Sequence, residues 1–140
     1  MIDYWKNAIA KNYANFNGRA RRSEYWYYTL MNIIIMIGLQ VFIAVSASSN
    51  LSSVSMVLGG LYLIYALGTF IPSIAVAVRR LHDVGKSGWF MFIALIPLIG
   101  SIWLLVLFCT EGNRGENIYG ADPKNQSSMN DDALDSHLTN

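Results

Sequence analysis

From Tyr25 to Val78 the chain carries no Asp, Glu, Lys or Arg, an uncharged run of 54 residues. A second such run covers the 24 residues from Ser87 to Thr110. Charged residues make up 14% of the chain's 140, against about 25% in an ordinary soluble domain. A membrane-spanning helix needs about 20 apolar residues. Runs of this length therefore exclude a soluble globular protein and leave too little polar chain for a separate catalytic domain. Cysteine is nearly missing: Cys109 stands alone, so no intrachain disulfide can form. Also missing are Gly-x-Ser-x-Gly, His-Glu-x-x-His, a phosphate loop and Cys-x-x-Cys, each of which would mark a known chemistry. No catalytic residue, metal or cofactor is expected. A net charge of +1 gives no reason to expect a nucleic-acid partner.

What is present is apolar helix punctuated by aromatic and basic residues. Ile2, Trp5, Ile9, Tyr13 and Phe16 form one helical stripe, with Asp3, Lys6 and Lys11 off it; this predicts an amphipathic helix lying in the headgroup layer. Tyr25, Trp26, Tyr27 and Tyr28 are of the residue types that favour a membrane–water boundary, and they mark the entry to the first span. The first 24 residues are polar and aromatic, so that span should serve as an uncleaved signal anchor rather than a removed signal peptide.

The predicted fold is all-α and integral to the membrane, with three apolar helical segments at about 26–46, 54–78 and 89–109. The second contains Gly59, Gly60 and Gly68 and a Thr69, Ser73, Ala77 series, small residues through which helices can bundle closely. Pro72 should kink it. Gly85 reads as a helix stop and Ser87 as a helix start. Pro97 and Gly100 divide the third segment, which is either one kinked span, the preferred reading, or a hairpin of two half-helices. Residues 1–123 form a single membrane domain, and 124–140 a polar, acidic tail expected to be disordered.

Lys and Arg in short loops face the cytoplasm. Five bases lie in residues 1–24 and three in 79–88, whereas 46–55 hold none. The N-terminus and the 79–88 turn are therefore expected inside and the serine-rich loop outside. A full third span would put the tail outside, and a hairpin would keep it inside.

Three stretches carry a resemblance. Phe16-Asn17-Gly18-Arg19-Ala20-Arg21-Arg22-Ser23-Glu24-Tyr25-Trp26 resembles the opening motif of a bacterial inner-membrane family, domain of unknown function 805. The run from Arg79 to Trp89, Arg-Arg-Leu-His-Asp-Val-Gly-Lys-Ser-Gly-Trp, resembles its central motif, and Gly112 to Pro123 its closing motif. Ala121 departs from the proline usual in the closing motif. The resemblance implies a multi-pass protein of the bacterial inner membrane and supplies no activity.

Arg19, Arg21, Arg22, Arg79, Arg80 and Lys86 form the cationic face. Cations at a membrane surface attract anionic headgroups, and arginine forks hold phosphates. Glu24, Asp83 and His82 are the candidates for structural ion pairs, with Glu24 to Arg79 or Arg80 the preferred link between motifs. The leading expectation is a non-enzymatic structural or accessory protein that engages anionic lipids or a protein partner. A homo-oligomeric transport subunit is the alternative, with Asn32, Gln40, Thr69 and Ser73 the only polar side chains to line a path. A membrane enzyme using Arg79, Arg80, His82 and Asp83 ranks third.

Overall fold

The structure, a computed structural model, describes residues 2–125. All its named elements are helical: α1 (Ile2–Lys6), continued by a wider π turn (Asn7–Lys11), then α2 (Arg22–Ser48), α3 (Ser52–Asp83), a 3-10 helix (Gly88–Leu95) and α4 (Ile99–Cys109). The polar tail expected over 124–140 lies outside the described residues from 126 onward. The described chain divides into two compact units, one of residues 2–15 with Trp26–Ala75 and one of Phe16–Tyr25 with residues 76–125.

In the first unit, α2 and α3 are 27 and 32 residues long. At 1.5 Å per residue they measure about 40 and 48 Å, more than the roughly 30 Å of a hydrocarbon core. Only 11% of the most apolar window of α2 is buried inside the protein. A soluble core helix would show the reverse, so both helices are apolar and long enough to cross a bilayer. Asn50, at φ 57°, closes α2. The amide of Leu51 reaches the Ser46 carbonyl and that of Asn50 the Ala47 carbonyl, the six-to-one and five-to-two pattern of a Schellman stop.

The polar side chains inside these helices bind one another. Tyr28 Oη donates to the Thr69 carbonyl at 3.2 Å and lies 3.0 Å from Ser73 Oγ. Tyr65 Oη donates to Asn32 Oδ1 at 2.6 Å, and Asn32 Nδ2 donates to the Tyr28 carbonyl at 3.1 Å. Gln40 Nε2 donates to Tyr62 Oη at 3.2 Å. The clamp sits beside Pro72, which lies within α3 and has no N–H to give the helix ladder; hydroxyls supply extra donors there. Tyr28→Phe should therefore lower the thermal midpoint in detergent, at a cost of about 0.6–1.7 kcal/mol. Tyr27→Phe, at an exposed ring, should change little, and equal midpoints would contradict the clamp.

Bundling through glycine is not what this unit shows. A methyl added at Gly59, Gly60 or Gly68 would meet nothing within 4 Å, so these positions allow no close helix contact among the described residues. Thr69, not the glycines, is buried. Trp5, Ile9 and Tyr13 of the N-terminal stripe line a groove with Tyr65, Gly68 and Thr69 of α3.

In the second unit, α3 runs on to Asp83, past the expected end near Val78, and stops two residues before Gly85 at φ 71°, the helix stop read in the sequence. Gly85 N donates to the His82 carbonyl and Lys86 N to that of Leu81, a second Schellman stop. Ser87 caps the 3-10 helix through the Trp89 amide. Ala77, Leu81, Leu104 and Phe108 make the core, with Tyr25, Met91, Ile93 and Leu107 against it.

The segment 89–109 is not one kinked span. It consists of an eight-residue 3-10 helix and an eleven-residue α-helix, and α4 is only about 16 Å long. Pro97 cannot continue a helix. Leu98, at φ 63° and ψ −61°, with Ile99 N donating to the Pro97 carbonyl at 2.7 Å, forms a γ-turn of the rare, strained hand. The chain doubles back so tightly that a Cβ on Gly100 would lie 1.7 Å from the Ile93 oxygen. In a continuous helix those residues would be about 10 Å apart. Trp89, Leu95, Leu98 and Ile99 are left exposed.

Candidate functional site

Residues 18–25, 79–83 and 108–123 converge on a polar knot at the C-terminal ends of α3 and α4. The last carbonyls of a helix lack intrahelical partners and carry its negative dipole end. Here arginines and amides from other segments fill that need. Arg80, fully buried, donates from Nε to the Phe108 carbonyl at 3.3 Å and from a terminal nitrogen to that of Thr110. Arg22 reaches the Cys109 carbonyl at 3.4 Å. At the end of α3, Ala20 N donates to the Arg79 carbonyl at 3.0 Å, Asn113 N to the Asp83 carbonyl at 2.8 Å, and Asn117 Nδ2 to the His82 carbonyl at 2.9 Å.

Asp83 is the hub of charge. Its Oδ1 accepts from Arg19 Nε at 3.0 Å and its Oδ2 from Arg80. Arg19 spends its remaining donors on backbone: the carbonyls of Gly115 at 2.6 Å, Gly120 at 3.3 Å and Asn113. Gly112 passes so close that a Cβ there would lie 2.0 Å from Asp83 Oδ2. Glu24 accepts from Arg79 at 2.8 Å, with the Arg79 side chain 6% and the Glu24 side chain 19% exposed. Arg79 Nε and its other terminal nitrogen have no hydrogen-bond partner among the described residues.

The sequence placed six cations on one surface; the structure separates them. Arg19, Arg79 and Arg80 are interior, because each finds a carboxylate or helix-end carbonyl. Arg22 and Lys86 are exposed. Arg21 is half-buried and donates from Nε to the Pro123 carbonyl at 2.9 Å. His82 enters no ion pair among the described residues. Its ring stacks on Tyr119 with centroids 3.9 Å apart, and Nδ1 sits 3.2 Å from the Gly18 carbonyl. Successive helical residues point in different directions, so Asp83 turns to the arginines while His82 turns away. Two of the four residues of the third-ranked enzyme reading, His82 and Asp83, thus have separate partners. No three His, Cys, Asp or Glu side chains among the described residues could hold a metal ion.

Arg114 and Lys124 were absent from the sequence-based set. They join Arg21 and Arg22 around a cleft of about 300 Å³ at the N-terminus of α2, with Asp83 and Asp122 also in its wall. Glu111 accepts from Lys124 and lies 3.8 Å from Arg22, both of which line the cleft. Hydrogen bonding and charge from Lys124, with Arg22 adding to it, hold the Glu111 carboxyl below its usual range. Asp122 is held low first by the Lys124 amide, then by that of Gly115. Both acids are therefore ionised at neutral pH. The only advance signal for Arg114 and Lys124 was their place near the closing motif, 94 or more residues from Ala20 in the chain, a separation that local pattern does not bridge.

No solved structure matches the chain. Inner membrane protein YhaI of Escherichia coli K12 is 43% identical over 124 residues, covering 86% of this chain and 95% of YhaI. Inner membrane protein YhaH of the same strain is 40% identical over 120 residues, covering 86% and 96%. The profile of DUF805, a family of proteins of unknown function, matches residues 13–121. That range holds nearly all of the three segments that build the knot, and the chain belongs to the DUF805 family.

Proposed function

We propose that this inner-membrane protein is a non-enzymatic structural or accessory component. It crosses the bilayer twice, keeps the N-terminus and residue 124 in the cytoplasm, and presents a cationic face to anionic lipid headgroups. One observation carries this reading: residues 108–123 are hydrogen-bonded to residues 19–22 and 79–83. A chain tied in this way has all three segments at one membrane face. The five bases before Tyr25 and the three in 79–88 make that face cytoplasmic by the positive-inside rule. The returning 88–109 segment adds no crossing. The exposed cations at this end, Arg22, Lys86, Arg114 and Lys124, then meet the inner leaflet, where each is worth about 1 kcal/mol of attraction.

The polar groups that a permeation path would have used, Asn32, Gln40, Thr69 and Ser73, hydrogen-bond within the first unit instead. Two measurements test the reading. Reporter fusions at residue 50 and residue 124 should read periplasmic and cytoplasmic, respectively. Lipid co-purified in mild detergent should be enriched in phosphatidylglycerol and cardiolipin over the bulk membrane extract. A periplasmic reading at 124, or retained lipid with bulk composition, would overturn it.

A further inference from the structure

We infer that the cleft at the N-terminus of α2 is a phosphate-binding site built by Arg21, Arg22, Arg114 and Lys124, and that the Glu111 carboxylate is a built-in competitor which the phosphate displaces. This deepens the lipid-binding reading and rests on it for the source of the phosphate.

The cleft's volume of about 300 Å³ is at the small end of ligand pockets, roughly 300–1,000 Å³, and accommodates a phosphate with its first ester substituents. Four basic side chains line it against two acidic ones. Neither acid opposes an incoming anion at full strength. Asp83 is already paired with Arg19 and Arg80, and Asp122 accepts from the amides of Gly115 and Lys124. The first turn of a helix has free N–H groups and positive potential, and Ser23 of the α2 first turn lies in the cleft wall.

Glu111 shows what that surface prefers. Its carboxylate is seated between Lys124 and Arg22. All three side chains are close to half exposed, at 49%, 54% and 45%. A half-exposed bridge of this kind is worth little to the fold, so it can open without unfolding the knot behind it. A lipid phosphodiester brings the same two cations a permanently ionised anion and inorganic phosphate adds a second negative charge, and arginine takes either in bidentate geometry. Exchange of Glu111 for phosphate keeps Arg22 and Lys124 paired throughout.

The test uses the full chain in neutral detergent, followed by its thermal midpoint. One arm adds short-chain phosphatidylglycerol, with short-chain diacylglycerol, which lacks the phosphate, as the control, and the other adds inorganic phosphate. A rise with phosphatidylglycerol alone identifies a lipid phosphate, and a rise with both identifies a general phosphate site. Arg114→Gln with Lys124→Gln should weaken either response about fivefold or more per cation removed. Glu111→Gln should strengthen binding several-fold. Glu116→Gln makes the same charge change at an exposed acid, whereas it is Glu111 that bridges Arg22 and Lys124, and it should leave binding near the wild-type value. Equal effects of Glu111→Gln and Glu116→Gln would reduce the attraction to bulk charge and overturn the site. No response to either phosphate source would overturn it too. Phosphatidylglycerol retention that survives Arg114→Gln with Lys124→Gln would sink the cleft while leaving the broader lipid-binding reading intact. Absence of anionic lipid from the wild-type protein would sink that reading, with the inorganic phosphate arm still deciding the cleft.

Discussion

Asp83→Ala should cost about 3–5 kcal/mol of stability, the range for removing one partner of a buried ion pair. Asp83 takes both Arg19 and Arg80, and the side chains of all three are at most 6% exposed. Without the carboxylate, two buried guanidinium groups lose the counter-charge they are hydrogen-bonded to and keep backbone carbonyls as acceptors. The effect should appear as a large drop in the detergent melting midpoint and in the yield of monodisperse protein. Glu116→Ala, at an exposed acid, should move the midpoint only by an amount typical of surface sites, about 0.5 kcal/mol or less. A further test lies in Gly112, whose added Cβ would collide with Asp83 Oδ2. Gly112→Ala should be damaging alone and less damaging when Asp83→Ala is already present, since neighbouring sites couple. Strict additivity, or an Asp83→Ala midpoint equal to that of Glu116→Ala, would contradict the knot.

The second large effect is expected at Gly100. Its Cβ would lie 1.7 Å from the carbonyl oxygen of Ile93 and 2.6 Å from the carbonyl carbon. That obstacle is backbone and cannot rotate aside. Gly100→Ala should force the 3-10 helix and α4 apart, costing at least the 1–3 kcal/mol usual for overpacking. Gly59→Ala and Gly60→Ala make the same chemical change in α3, where nothing lies within 4 Å. Alanine favours a helix over glycine by about 0.5–1 kcal/mol, so these two should be neutral or stabilising. The comparison is a melt of the three variants side by side. A Gly100→Ala protein as stable as the α3 variants would mean that the chain does not turn back at Pro97.

Some of this was legible because it depends only on neighbours in the chain. The uncharged run from Tyr25 to Val78 foretold α2 and α3, since length and apolarity along one helix are local properties. Gly85 foretold its helix end for a similar reason, as the stop is closed within the six residues from Leu81 to Lys86. Both helices nevertheless run past their apolar segments, from Arg22 and to Asp83, because their polar ends are paired with distant chain and not left to fray. In the third segment, Pro97 and Gly100 left a kink and a hairpin both open to local pattern, and the kinked span that was preferred is not the one formed. The positive φ of Leu98 and the crossing at Ile93 decide between them.

The sequence alone determined that this protein lives in a bilayer, where its long helices lie, and that its bases gather in segments flanking them. Hydropathy and charge are carried residue by residue and need no partner to be counted. Only the tertiary structure decided which bases are interior and which face outward. Arg19 and Arg22 look alike in the chain, but Arg19 meets Asp83, 64 residues away, whereas Arg22 stays at the surface beside Glu111. A buried charge is tolerable only where a counter-charge and hydrogen-bond acceptors converge on it, and that convergence exists only once the chain has folded.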